Sequence, residues 1–225
     1  MAKNQTPEKN IEKIMAILGP LFPDRRSLLN HENPFQLLVA TVLAAQCTDA
    51  AVNLATPELF RHFPDPPALA EAPLKEVETI VHPLGFFRAK AHNIKALSKQ
   101  LNDKFNSAVP KTMDELLTLP GVGRKTASVI LSTCFNEPAI IVDTHFSRIC
   151  QRLGFTSSER PEIIERDIAA IAPKEEWTAV SLVFNRFGRA ICHARKPECE
   201  KCPIREFCSY IAPNPVQKPK KPRQK

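Results

Sequence analysis

A chain of 225 residues, 43% hydrophobic, can bury one large core or two small ones, and its 6 Gly against 21 Pro with no sustained period-2 alternation argue against a β-rich fold. The formal net charge of +7 invites a polyanion, but Lys218, Lys220, Lys221, Arg223 and Lys225 supply five of those charges; the remaining +2 means that any DNA-binding face must be a local cluster. No apolar core follows the polar stretch 1–10, and the longest uncharged apolar run, 37–45, is too short for a bilayer, so neither a signal peptide nor a membrane span is expected.

The first helix is expected from Pro7 to Leu18, where Ile11, Ile14, Met15 and Leu18 have helical spacing and Gly19-Pro20 is a stop signal. Asn33 and Pro34 open a second helix through Ala45, apolar on nearly every side and therefore expected at the centre of a bundle. Gln46-Cys47-Thr48-Asp49 breaks it, with Thr48 placed to cap the next. From Pro73 another helix runs to His82-Pro83-Leu84-Gly85-Phe86-Phe87, and a long one follows from Arg88 to Phe105. A helical pattern ends at Leu116, Leu117 and Leu119, and a new helix is expected from Arg124 to Phe135. Three more are expected at 144–153, 161–171 and 173–187. The proline- and lysine-rich end, 213–225, is expected to be disordered and to add at most non-specific attraction for phosphate.

Between two of these helices stands Leu119-Pro-Gly-Val-Gly-Arg-Lys-Thr-Ala127. Gly121 and Gly123 so close together imply a tight turn needing positive φ and a bare backbone surface. The N–H groups and dipole of the following helix then suit one phosphate. Lys125 falls in its first turn. An amine there can act as a nucleophile when neutral, and both the dipole and the neighbouring Arg124 disfavour its charged form. Eighteen residues on comes Asp143, in Val142-Asp143-Thr144-His145. Each also has a plainer reading: Lys125 as a phosphate contact, Asp143 as the cap of the helix starting at Thr144. Cys192, Cys199, Cys202 and Cys208 follow the spacing Cys-x6-Cys-x2-Cys-x5-Cys, which can hold zinc or a [4Fe–4S] cluster, and generic chemistry favours zinc. Seven cysteines without a leader point to a reducing compartment. Cys47, Cys134 and Cys150 are left as core or bystander residues.

Hairpin, Val142-Asp143-Thr144-His145 and cysteine cluster together resemble endonuclease III, of the helix–hairpin–helix superfamily of DNA base-excision glycosylases, from about Lys9 to Tyr210. The resemblance implies an all-α, two-lobed fold: a helical lobe at 28–137 with the hairpin, a second at 1–27 plus 138–212 with the cluster loop, and the tail 213–225. DNA would lie across the cleft between the lobes. It implies a bifunctional enzyme that removes oxidised pyrimidines and cuts the strand by β-elimination, with Lys125 forming a Schiff base and Asp143 stabilising positive charge on the sugar. The tetrad would then hold a [4Fe–4S] cluster. Implied DNA contacts are Gln46, reaching into the gap left by an extruded base, Phe86 as an apolar wedge, Gly121, Val122, Gly123, Arg124 and His145, with Arg195 and Lys196 on phosphates. The partner would be duplex DNA with damaged bases or abasic sites. The protein would be a monomer, intracellular and cytoplasmic, with no membrane association. Adenine glycosylases of the superfamily carry glutamate where Thr41 stands and lack the lysine. Phe187 and Ala44 depart from the common histidine and serine, changes that bear on the pocket or on its packing and so on the substrate more than on the reaction type. One rival is a monofunctional glycosylase of another base specificity, against which Lys125 and Thr41 argue; another is a non-catalytic DNA-binding or redox-sensing module on the same scaffold, against which Lys125 and Asp143 speak.

Overall fold

The computed structural model describes residues 7–211; the basic stretch 213–225 lies outside them. These residues form α-helices and three short 3-10 turns, with no strand among them. The chain divides into two compact units, one of Asp24–Ile141 and one of the chain up to Pro23 together with everything from Val142 on.

In the Asp24–Ile141 unit, α2 (Pro34–Leu43) is the central helix, buried at every position but Pro34 and Thr41. Asn33 accepts the Gln36 N–H at 3.0 Å and Pro34 supplies a preset first turn. Thr41 donates its hydroxyl to Leu37 O at 2.7 Å, so this polar residue is satisfied by the helix's own backbone. Around α2 lie α3 (Asp49–His62), α4 (Pro66–Glu71), α5 (Leu74–Val81), α6 (Phe87–Phe105), α7 (Met113–Leu117) and α8 (Arg124–Cys134). α2 packs on α3, α6 and α8, while α4 and α5 pack on α6. α4 was too short to show a period. Its only sequence signal is Asp65-Pro66, and Asp65 does cap it, accepting the Ala68 N–H at 2.9 Å.

In the other unit, α1 (Pro7–Leu21) and α9 (Thr144–Leu153) pack on α11 (Trp177–Ala190), and α10 (Pro161–Ala169) packs on α9. Ile11, Ile14, Leu18, Phe146, Ile149, Phe184 and Phe187 are fully buried. The expected stop at Gly19-Pro20 does not occur: α1 runs through Pro20 to Leu21, and Phe22 N–H returns to Leu18 O at 3.0 Å. A proline in the last turn deletes only one ladder bond. The extra turn delivers Phe22 edge-on to Phe187, with ring centroids 6.2 Å apart. Phe187, one of the two departures from the family pattern, is therefore a packing residue at 2% exposure. α11 starts later than expected, because residues 174–176 form a 3-10 turn and the Trp177 indole donates to Ala172 O at 3.0 Å. It also ends later, at Ala190, since Gly188 lets it pass close to α9: a Cβ there would stand 3.0 Å from His145 Cβ.

Candidate active site

Within the Asp24–Ile141 unit, every segment singled out from the sequence is fastened to α6. The hairpin turns after Leu119, whose carbonyl accepts the Val122 N–H at 3.1 Å, and Leu119 and Val122 are both buried beneath it. Gly121 has φ +76, and a Cβ there would meet Asn93 of α6 at 3.0 Å. Gln100 of α6 donates to Thr118 O at 3.2 Å and to Thr118 Oγ1 at 3.0 Å. Gly123 is different: its φ is −100 and ψ 176, ordinary extended backbone, and a Cβ would meet nothing within 4 Å. The positive-φ demand is therefore Gly121's alone. Gly123 is the N-cap of α8 and offers no side-chain cap, so the positive end of this helix suits an approaching anion. Lys125 is exposed in that turn, beside Arg124. Gly121→Ala should lose about 1–3 kcal/mol of stability from strain and the Asn93 contact, whereas Gly123→Ala should change the melting temperature little. Thermal unfolding of the two variants side by side checks this.

Gln46 and Phe86 share a backbone property that composition does not reveal. Six non-glycine residues among those described have positive φ, and three of them are Gln46 (φ 55), Phe86 (φ 57) and Lys196 (φ 52). A bulky aromatic in the left-handed region is strained by roughly 1–3 kcal/mol, and Phe86 recovers none of it by burial, being 70% exposed. Its neighbour Phe87 packs against the core instead and meets the His82 ring at 4.6 Å.

In the second unit the organising helix is α9. Asp143 is its N-cap: Oδ1 accepts the Phe146 N–H at 2.8 Å, and Oδ2 accepts from Asn185 Nδ2 on α11. Nothing in the sequence points to Asn185, which lies in a helix 42 residues away. His145 follows on the same turn. Partial burial holds its ring below the ordinary histidine range, with Asp143 opposing and Arg148 and Arg189 reinforcing, so the neutral ring can accept Arg148 Nη2 through Nδ1 at 3.2 Å. Arg148 also donates to Gly188 O at 2.9 Å and to Cys192 O at 3.0 Å. One turn on, Arg152 donates to Cys192 Sγ at 3.1 Å, His193 O at 2.9 Å and Ala194 O at 3.2 Å, while its guanidinium lies 4.3 Å from the Tyr210 ring centre. Arg152 O in turn accepts the Ser209 N–H at 2.9 Å. Both ends of the cysteine stretch are thus tied to one residue. Arg195 and Lys196 are exposed on the loop after Cys192.

These features can be set beside known proteins. Residues 39–174 match the model of the HhH-GPD superfamily of base excision DNA repair proteins, and residues 192–208 match the iron–sulfur binding domain of endonuclease III. Endonuclease III of Synechocystis sp. is 44% identical over 209 residues, 92% of this chain and 95% of that protein. That of Bacillus subtilis is 41% identical over 201 residues, 89% and 92% of the two chains. This chain belongs to the endonuclease III family. A solved endonuclease III, described as a trapped covalent intermediate with DNA, superposes with a TM-score of 0.87 at 42% identity, covering 92% of this chain and 97% of that one. As a member of the family the chain is a base-excision repair enzyme, a DNA glycosylase and abasic-site lyase, that binds DNA and carries a [4Fe–4S] cluster.

The cysteines fit that endonuclease III cofactor. Burial pushes the Cys202 thiol up, and Cys192, Cys208 and Cys199 add to this through their charge, so each of the three stands within electrostatic reach of Cys202. No set of three or more His, Cys, Asp or Glu among the described residues stands as a site for a single metal ion. The cluster would use the four as thiolates and supply both a structural crosslink and a redox-active centre. Cys150, by contrast, is buried in the core, its thiol pushed well up by desolvation. Since the Arg152 guanidinium holds the first ligand's sulfur and packs on the Tyr210 ring just after the last, Arg152→Gln should lose cluster absorbance under a chelator roughly 10-fold faster, the usual scale for a residue supporting a ligand, with helicity by circular dichroism kept. No helix among the described residues is long and apolar enough to cross a membrane.

Proposed function

We propose that this enzyme removes oxidised pyrimidines from duplex DNA and then cuts the strand through a Schiff base on Lys125. The observation that carries the reading is the placement of Lys125: an exposed amine in the first turn of α8, directly after a hairpin whose geometry Gly121 dictates. The covalent complex described for the solved relative with DNA supports the same chemistry.

Extruding the damaged nucleotide costs a few kcal/mol, least for a base already weakly stacked. Gln46 enters the gap and Phe86 wedges the opposite strand, which lowers that cost; both residues are exposed and held at positive φ, as such insertion needs. The hairpin from Gly121 to Gly123, with Arg124, takes one phosphate on the α8 terminus, and His145, Arg195 and Lys196 contact DNA from the other unit. The Lys125 amine attacks C1′ of the deoxyribose as the glycosidic bond breaks and the base departs with the bonding pair. The sugar opens to an iminium. Loss of a C2′ proton then expels the 3′-phosphate, and water releases the lysine. Asp143, fixed by two hydrogen bonds, sets a negative charge against the cation that develops on the sugar. Cys192, Cys199, Cys202 and Cys208 hold the cluster. The enzyme acts inside the cell, as a monomer, on duplexes with a damaged base or an abasic site.

Borohydride reduction of the holoenzyme on a duplex with one oxidised pyrimidine should yield a covalent protein–DNA adduct. A protein that binds this duplex yet gives no adduct would remove the Schiff-base reading.

A further inference from the structure

Lys90 has no use in the chemistry above and is 5% exposed, an uncommon place for an ammonium-bearing chain. Among the described residues no carboxylate pairs with it. Its Nζ instead points at Cys47, 2.9 Å from Sγ. Cys47 is half-buried, packed against the core on one side but not sealed within it. It follows Gln46 directly, in the bend between α2 and α3, where its N–H returns to Ala44 O at 3.0 Å. Lys90 lies in the first turn of α6 and bonds Phe86 O through its own N–H at 3.1 Å. One side-chain contact therefore joins the residue after Gln46 to the residue one turn after Phe86.

We propose that Cys47 and Lys90 form an oxidation-closed covalent crosslink, a sulfenamide, made by a hydroperoxide and opened by thiols. In the first step the Cys47 sulfur forms a bond to the terminal peroxide oxygen as the O–O bond breaks, and the departing oxygen leaves as alcohol or water with the thiol proton. Cys47 is then a sulfenic acid, oxidised by two electrons, and the peroxide is reduced. Sulfenic acids are captured by nearby nitrogen nucleophiles. In the second step Lys90 gives one ammonium proton to solvent, its freed nitrogen lone pair attacks that sulfur, the S–O bond breaks, and hydroxyl leaves with a second nitrogen-bound proton as water. A thiol, an amine and a hydroperoxide thus give a sulfenamide, an alcohol and water. The four-carbon lysine stem closes the remaining gap without moving α6. Cys134 and Cys150 have no such partner among the described residues, which makes the reaction selective for Cys47.

The bond pins the bend that carries Gln46 to the turn that carries Phe86. Both side chains must settle into a distorted duplex, so pinning them weakens DNA binding while peroxide persists. This consequence rests on the assignment of Gln46 and Phe86 as residues that enter DNA; the bond itself does not.

The test treats the full-length holoenzyme with hydrogen peroxide and follows peptide masses and duplex affinity together. The expected product joins the Cys47 and Lys90 peptides, is lighter than their sum by two hydrogen atoms, separates with dithiothreitol, and is absent from Cys47→Ser and Lys90→Arg. Affinity for a duplex with an abasic-site analogue should fall roughly 10-fold, the scale of one lost stacking contact, and recover with dithiothreitol. Cys47→Ser, whose cluster meets the same oxidant, should keep its affinity. Oxidation of Cys47 to sulfinic acid or to a disulfide without a lysine link overturns the bond, and a link heavier by an oxygen overturns the chemistry as written. A link without loss of affinity overturns the consequence, provided Gln46→Ala and Phe86→Ala each weaken binding. If those two bind as wild type, the assignment of the entering residues is what has failed, and the consequence falls with it.

Discussion

Lys125→Gln should bind a damaged duplex about as tightly as the wild-type enzyme and cut it slower by on the order of 10^4 to 10^6, the scale seen when a covalent nucleophile is removed. Its borohydride adduct should vanish. The side chain is exposed, so the change should cost less than about 0.5 kcal/mol of stability, and the loss will not be a folding defect. Lys125→Arg separates charge from nucleophilicity: it keeps a cation for phosphate but has no free amine lone pair, and it should fail like the glutamine variant. Single-turnover cleavage with parallel gel-shift binding reads both. Cleavage within tenfold of wild type in either variant would mean that Lys125 only contacts phosphate.

How far such a residue can be found from sequence depends on whether its surroundings are local. The hairpin is local: Pro120, Gly121 and Gly123 between two apolar helical patterns announce it, and α8 begins at Arg124 as its period requires. Even so, the paired glycines do not say which of the two carries the positive φ of the turn. Of the two, only Gly121 has positive φ, and only it passes against Asn93. The cysteine spacing is local too. Its supports are not, since Arg152 is 40 residues from Cys192, and its polar contacts there look from the sequence like the solvent face of an amphipathic helix. Asn185 is hidden in the same way among the apolar residues of α11. Pro20 misleads because stop signals weigh backbone bonds, whereas the last turn of α1 is decided by Phe22 reaching Phe187.

Phe86 marks the opposite limit. By residue type it belongs in a core, and only the family resemblance places it against DNA. The fold adds an independent reason, since a left-handed, 70% exposed phenylalanine stores strain and exposes apolar surface with no return inside the folded chain. A side chain that costs stability on both counts is explained by what it meets outside. Lys90 is the converse, a polar group withdrawn from water toward a single sulfur, and sequence position gives no hint that Cys47 is its neighbour.

Asp143 has two jobs that its variants should pull apart. Asparagine caps helices as well as aspartate does, so in Asp143→Asn the side-chain oxygen can still accept the Phe146 N–H. The new amide nitrogen faces Asn185, whose own amide can turn to present its oxygen, and the pair survives in neutral form. Melting should therefore shift little, while glycosidic cleavage should slow by about 10^2 to 10^4 because the charge opposite the developing cation is gone. Asp143→Ala should show the same slowing and also lose about 1–2 kcal/mol, since both the cap and the Asn185 contact disappear. Comparing single-turnover base release with thermal unfolding for the two variants tests the division of labour. If Asp143→Asn excised bases at the wild-type rate, the carboxylate would be a helix cap and nothing more, and the charge that stabilises the sugar cation would have to come from another residue.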